Sequence, residues 1–347
     1  MVITEALKKV VERIDLTASE AESVLEQIMT GQCTDTQIAA LLTALRMKGE
    51  TVEELTGFAR VMRKKAARVK PQSVEASIGG TEREALLDTC GTGGDVSGSF
   101  NISTATAFVV AGAGVRVAKH GNRSVSSQCG SADVVEALGV RIDLPPERVA
   151  DCIDEVGIGF LHAPLLHDAM KYVALARKQM GIRTIFNMLG PLTNPAGADT
   201  QVIGVYAPNL TELLGSVLQA LGSRRAFIVH GINGLDEISI SGESKITELS
   251  NAELNTYTIR PEDFGFERVS MKEIQGGDAR HNAEIIRDIL NGKPGPRRNI
   301  VLLNAAAALV ASAKAAHLKE GIEVAAHSID TGAALSRLQH LIEFSNS

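Results

Sequence analysis

Tryptophan is absent from this chain, and only 3% of its 347 residues are aromatic. Stacking platforms for nucleic acid need exposed rings beside a basic groove, and a net charge of −6 leaves neither in supply. Any basic surface has to be local. Cysteine is scarce too: Cys33, Cys90, Cys129 and Cys152 stand far apart with no C-x-x-C pair, so neither a zinc site nor a disulfide framework is indicated. No apolar run approaches the roughly 20 residues of a membrane span, and MVITEALKKV sets Glu5, Lys8 and Lys9 in a helical rhythm unlike a signal-peptide core. The expectation is a cytoplasmic protein with no membrane and no nucleic-acid partner. What remains, 44% hydrophobic content over this length, suffices for one large or two ordinary domains with proper cores.

The first seventy residues read as helix only. Three capping boxes follow one another, Thr17-x-x-Glu20, Thr34-x-x-Gln37 and Thr51-x-x-Glu54, each ahead of an apolar stripe at helical spacing. Gly31 and Gly49 sit where glycines end helices. The polar stretch Lys70 to Arg83 suits an exposed connection. Short strands then alternate with helices: Ala85–Asp88, Val115–Ala118, Ile158–Leu161, Gln201–Tyr206 and Ala226–His230. Lys245 to Glu267 alternates like strand, and three helical runs after Asp278 close the chain. The fold class expected is α/β: a small N-terminal helical domain (1–70, joined by helices from 163–182) and a larger α/β domain (84–347) with a central, mostly parallel sheet and a helical C-terminus.

Two glycine- and serine-rich loops lie between Asp88 and Gly139. The first, Gly91-Thr92-Gly93-Gly94-Asp95, sits between a strand and the helical run Ser103 to Ala113; glycines admit an anion to backbone N–H groups, and a helix N-terminus adds partial positive charge. Gly93 to Gly98 fits G-x-x-x-x-G, but Ser99-Phe100 stands where a nucleotide-binding P-loop needs Lys-[Ser/Thr]. The second, Lys119 to Ser127, places two cations and three hydroxyls directly after a strand, an arrangement able to hold a polyanion. Asn101 or Ser103 reads as a helix cap, compatible with Ser103 and Thr104 touching phosphate or metal. Ser131-Ala132-Asp133 opens a further helix toward the same pocket.

Asp236-Glu237 follows a strand and an Asn-Gly turn, where α/β sheets place ligand groups; two hard oxygen donors there suit Mg²⁺ shared with a pyrophosphate, a solvated turn being the alternative. Arg177 falls on the Met170, Val173, Ala174 side of its helical run. It is either a snorkelling side chain or a guanidinium forking onto a substrate carboxylate. His120 and His167 are the histidines nearest these sites.

Taken together, Gly91 to Asp95, Asn101 to Thr104, Lys119 to Ser127, Gly130 to Asp133, Arg177 to Thr184, Asn187 to Pro195 and Asp236-Glu237 resemble the anthranilate phosphoribosyltransferases in order and spacing, over nearly the whole chain. Departures are small: His162 stands where Phe is common, and Asp168 follows His167 where Pro is usual. The resemblance implies transfer of the phosphoribosyl group of 5-phosphoribosyl 1-diphosphate to anthranilate in tryptophan biosynthesis. It implies that Gly91, Thr92, Gly94, Asp95, Ser99, Asn101, Ile102, Ser103, Thr104, Lys119, His120, Gly121, Asn122, Arg123, Ser124, Val125, Ser126, Ser127 and Ser131 hold the diphosphate substrate. Gly91, Asn122 and Arg177 would orient anthranilate, and Ser103, Asp236 and Glu237 would serve Mg²⁺, with His120 the candidate catalytic group. Homodimerisation through the helical domain is implied as well. The rival readings are a pyrimidine nucleoside phosphorylase, which shares this domain plan, and a non-catalytic nucleic-acid-binding relative.

Overall fold

The computed structural model describes residues 1–75, 84–93, 98–124 and 128–347. Four helices open the chain, Ile3–Val11, Ala18–Ile28, Asp35–Lys48 and Val52–Lys65. All three capping boxes form: the Thr17, Thr34 and Thr51 hydroxyls each accept the N–H three residues on at 3.3 Å, and the acid or amide there accepts back at 3.0 Å. Glu54 does more than cap, for its fully buried carboxylate also accepts from Leu16 N and Lys48 Nζ. Buried charge paired in this way locks the turns between helices.

Seven strands form one sheet: β1 (Leu86–Gly91), β2 (Arg116–Gly121), β3 (Ile158–His162), β4 (Thr200–Gly204), β5 (Arg225–Gly231), β6 (Ser244–Ser250) and β7 (Glu253–Ile259), in the order β3-β2-β1-β4-β5-β6-β7. The first five are parallel, and the β6–β7 hairpin adds antiparallel to β5. Side chains alternate between two cores, as the strand period demands. Val202, Phe227 and Val229 face the helix Ile102–Gly112 and the C-terminal helices; Ile203, Ala226 and Ile228 face Leu210–Ala220 and the N-terminal helices. Val173 and Ala176 of the helix Lys171–Met180 join the second of these cores.

The structure departs from the sequence reading at several points; β1, for one, ends at Gly91 rather than Asp88. β2 runs three residues past Ala118, because Lys119, His120 and Gly121 pair in register with Phe160, Leu161 and His162 of β3; Lys119 and His120 are therefore strand residues, with the loop starting after them. Four helices, not three, close the chain: Ala279–Leu290, Pro296–Ala311, Leu318–Asp330 and Ala333–Asn346, the last two parted only by Thr331-Gly332. In Lys171–Met180 the buried pair is Val173 and Ala176, while Ala174 faces outward. Among the described residues no helix is long and apolar enough to cross a membrane.

The sheet order turns back between β1 and β4. The connection leaving β1 packs on one face and the connection leaving β4 on the other, so a crevice opens at the carboxyl ends of these two strands.

Candidate functional site at the switch point

Asp236 spans the end of that crevice. A Cβ on Gly204 would lie 1.5 Å from its carbonyl oxygen, and one on Gly91 2.6 Å from its Oδ2. At Gly204, where the contact is with backbone, only a residue without a side chain lets the acidic segment cross. Thr92 N donates to Gly204 O at 2.9 Å, stitching the first loop to β4. Behind the acids, the buried Asn304 amide accepts from Ile238 N and donates to Ile238 O, both at 2.9 Å. Glu237 Oε1 in turn accepts Ser103 N at 3.0 Å, so a carboxylate from a distant segment caps the helix Ile102–Gly112. Asn101 holds the N-cap position but its side chain caps nothing, correcting that part of the expectation.

Lys119 is 2% exposed. Its ammonium donates to Thr89 O at 2.6 Å and Ser103 Oγ at 3.3 Å. Burial lowers its pKa, while the charges of Asp88 and Glu237 oppose the shift. Asp88, wholly buried one residue before Thr89, accepts His120 N at 3.1 Å and Asn194 Nδ2 at 2.8 Å; Asn194 Nδ2 also reaches Ala118 O at 2.8 Å. Burial pushes the Asp88 carboxyl up against these stabilising bonds. Asp88 and Asn194 thus tie β1, β2 and the turn after Leu192 into one block. Sequence reasoning missed both roles; the available signal was an acid ending the apolar run Ala85-Leu86-Leu87.

The second loop is folded on its own helix. Asp133 accepts Ser124 N at 3.1 Å, Gly130 N at 2.9 Å and Arg123 Nη1 at 2.9 Å, and Arg123 forks onto Glu136 at 2.9 and 3.1 Å. Ser131 Oγ accepts Asn122 N at 3.2 Å. Of the two cations expected here, Lys119 is buried against Thr89 and Ser103, and Arg123 is engaged by Asp133 and Glu136. Ile102 and Thr104 are buried, and Ser99 lies in an antiparallel bridge with Gln275. Gly94, Asp95, Val125, Ser126 and Ser127 lie outside the described residues.

Hard oxygen donors gather where the first loop meets the acids: Ser103 Oγ, Asp236 and Glu237. Among the described residues no group of three His, Cys, Asp or Glu stands ready to hold a metal. One or two carboxylates completed by substrate phosphates is the manner in which Mg²⁺ is held, so the donor set fits that ion.

The remaining candidate groups, Arg177 and the two histidines, lie against rings. Arg177 sits half-buried with its guanidinium 5.4 Å from the Phe186 ring centre, and among the described residues it has no carboxylate partner. Desolvation lowers its pKa. The rings of His120 and His167 lie 5.1 Å apart, both buried. Burial and mutual repulsion pull His120 down to about 3, and burial pulls His167 down to about 4. Arg183 stacks 4.3 Å from the Tyr206 ring, and Tyr206 N donates to Thr92 Oγ1 at 3.3 Å.

Comparison with known proteins agrees with this geometry. The helical bundle domain of a glycosyl transferase family matches residues 4–66, and the a/b domain of that family matches residues 83–335. Anthranilate phosphoribosyltransferase of Pelotomaculum thermopropionicum is 56% identical over 345 residues, covering 99% of this chain and 97% of the relative. That of Geobacter sulfurreducens is 55% identical over 348 residues, covering 99% of each. Among solved structures, the Thermus thermophilus anthranilate phosphoribosyltransferase superposes with a TM-score of 0.91 at 40% identity, covering 99% of both chains. The Saccharomyces cerevisiae enzyme in complex with PRPP and Mg reaches 0.87 at 28%, covering 99% of this chain and 98% of that one. With identity above one half carried through both the helical and the α/β parts, the chain belongs to the anthranilate phosphoribosyltransferase family.

Proposed function

We propose that this protein transfers the phosphoribosyl group of 5-phosphoribosyl 1-diphosphate (PRPP) to the amine of anthranilate, releasing pyrophosphate. The observation that carries the reading is the convergence of Asp236, Glu237, Ser103 and Lys119 at the carboxyl ends of β1 and β2. A transferred group leaving with charge on pyrophosphate needs such an array, and an array fixed before the reaction costs no reorganisation during it. The first loop, from Gly91 and Thr92 to Ser99 and Asn101 through Thr104, and the second, from Lys119 to Ser131, hold the diphosphate substrate from two sides. Ile102 and Thr104, being buried, act through the backbone. Arg123, engaged by Asp133 and Glu136, shapes the second loop.

Ser103, Asp236 and Glu237 would hold Mg²⁺. Bound there, the ion would offset charge developing on the departing pyrophosphate. Lys119 adds a cation held in place by Thr89 O. Arg177, half-buried beside Phe186 and with no carboxylate partner among the described residues, takes the anthranilate carboxylate, with Asn122 and Gly91 completing its seat. The amine then stands in line with C1 of the ribose: the C1–N bond forms as the C1–O bond to pyrophosphate breaks, and the amine gives up its proton to solvent or to the departing pyrophosphate. An aryl ammonium is acidic enough to need no strong base. A histidine held near 3 is a weak one, so His120 is assigned to shaping the pocket.

Val11, Met47 and Leu175 are exposed apolar side chains on helices that pack together, a surface suited to a second copy of the chain. We assign homodimerisation to it. Four cysteines, none of them in a disulfide, suit the reducing cytoplasm. The test of function is loss of anthranilate fluorescence with purified protein, PRPP and Mg²⁺. A fall abolished by EDTA is expected; no fall, or phosphorolysis of thymidine in the control, overturns the reading.

A further inference from the structure

The first loop is propped from a segment to which no function has so far been attached. Phe100 N donates to Ile274 O at 3.2 Å, Gly276 N donates to Gly98 O at 2.9 Å, and Ser99 bridges Gln275. Contact is so close that a Cβ on Gly276 would lie 2.7 Å from Phe100 Cα. One side chain connects this prop to the site. Asn282 is 2% exposed; its Oδ1 accepts Gly277 N at 2.8 Å, and its Nδ2 donates to Asn101 Oδ1 at 3.0 Å. Asn101 in turn donates to Cys129 O at 3.3 Å and accepts from Cys129 Sγ at 3.4 Å.

An amide that would otherwise cap its own helix is thereby turned sideways. It joins the first loop to the foot of the second, and it keeps this orientation because Asn282 supplies the donor. Resting on the proposed reaction, we infer that Asn282 is a positioning residue: it touches no substrate, and it sets the spacing of the two diphosphate-binding loops through Asn101. Without that donor the half-buried Asn101 carbonyl keeps only the weak Cys129 thiol as a partner, which favours rotation of the amide out of register.

Asn282→Asp separates the two halves of this role, since aspartate keeps the acceptor for Gly277 N and the volume but cannot donate to Asn101. The full-length variant should show a KM for PRPP raised about tenfold, with the KM for anthranilate unchanged. PRPP binding by calorimetry should weaken alike. In an Asn101→Ala background, adding Asn282→Asp should cost nothing further, because the two act as one unit. Equal effects on both substrates, unchanged PRPP binding, additive costs in the double variant, or failure of both Asn282→Asp and Asn282→Ala to fold would each overturn the inference. A wild-type protein that binds PRPP but consumes no anthranilate would instead sink the proposed reaction. The calorimetric arm still decides Asn282's effect on diphosphate binding in that case.

Discussion

The loop after β1 and the loop after β2 flank one crevice, yet they are braced in opposite ways. The first leans on residues 274–282, the far side of the molecule in sequence, and is capped by Glu237 from a third segment. The second is clamped by Asp133, nine residues beyond Ser124, on the helix that the loop itself leads into. A brace made nearby forms with its loop. One made remotely forms only when the whole sheet has assembled, so the first loop reports on the integrity of the fold and the second largely on itself.

The sharpest way to break the comparison is at the acids, where the remote brace and the proposed metal site coincide. Asp236→Ala should lower kcat/KM by about 10²- to 10³-fold, the range found when one group stabilising a developing charge is removed. Steady-state rates against Mg²⁺ concentration check it. A loss below tenfold would mean that the second loop and Lys119 carry the leaving group by themselves.

Arg177 lies on neither loop and serves as the control. Arg177→Ala should raise the KM for anthranilate about 10- to 100-fold, the worth of a charge-assisted pair in a desolvated setting, and leave that for PRPP unmoved. Equal effects on both substrates would remove its assignment.

Asp133→Ala tests the local brace. It strips an acceptor from two backbone N–H groups and from Arg123, and the PRPP KM should rise about tenfold. Because the clamp is local, thermal stability should change less than in Asn282→Ala, whose partner is 181 residues away. Scanning calorimetry on the two variants decides; the reverse order would mean that the second loop, not the first, carries the fold.

The same distinction explains what could be read in advance. Thr17, Thr34 and Thr51 announced their helices because each capping partner is three residues on. Ser131-Ala132-Asp133 announced a helix start for a like reason. The strands were legible by composition, but their carboxyl ends were misplaced: β4 stops at Gly204, two residues short of the expected end, and β2 runs past Ala118, since Lys119-His120-Gly121 has no strand-like alternation and pairs only because β3 lies beside it. Asp236-Glu237 stood out by following a strand and a turn. That it would cross Gly204 was not legible, because the backbone clash that selects that glycine exists only in three dimensions. Nor were Asp88, Asn194 and Asn282, three buried polar residues each with a partner 32 to 181 positions distant.

Acid offers the mildest test, and it should act at the root of the second loop. His120 and His167 are buried neutral, with folded values of about 3 and about 4. Free histidine takes a proton near pH 6.5, so below that value the unfolded chain binds more protons than the folded one, and stability falls as pH falls. The loss is about 1.4 kcal/mol per histidine by pH 5.5, and it continues toward pH 4 for His167 and pH 3 for His120. Above pH 7 neither contributes any slope. The thermal midpoint should therefore drop by several degrees between pH 7 and 5.5, and His167→Gln should halve the drop. Over that same range kcat should show no ionisation that His120→Asn removes. A limb near pH 6.5 that vanished in this variant would mean that His120 titrates as an ordinary histidine, and would return it to the role of proton acceptor.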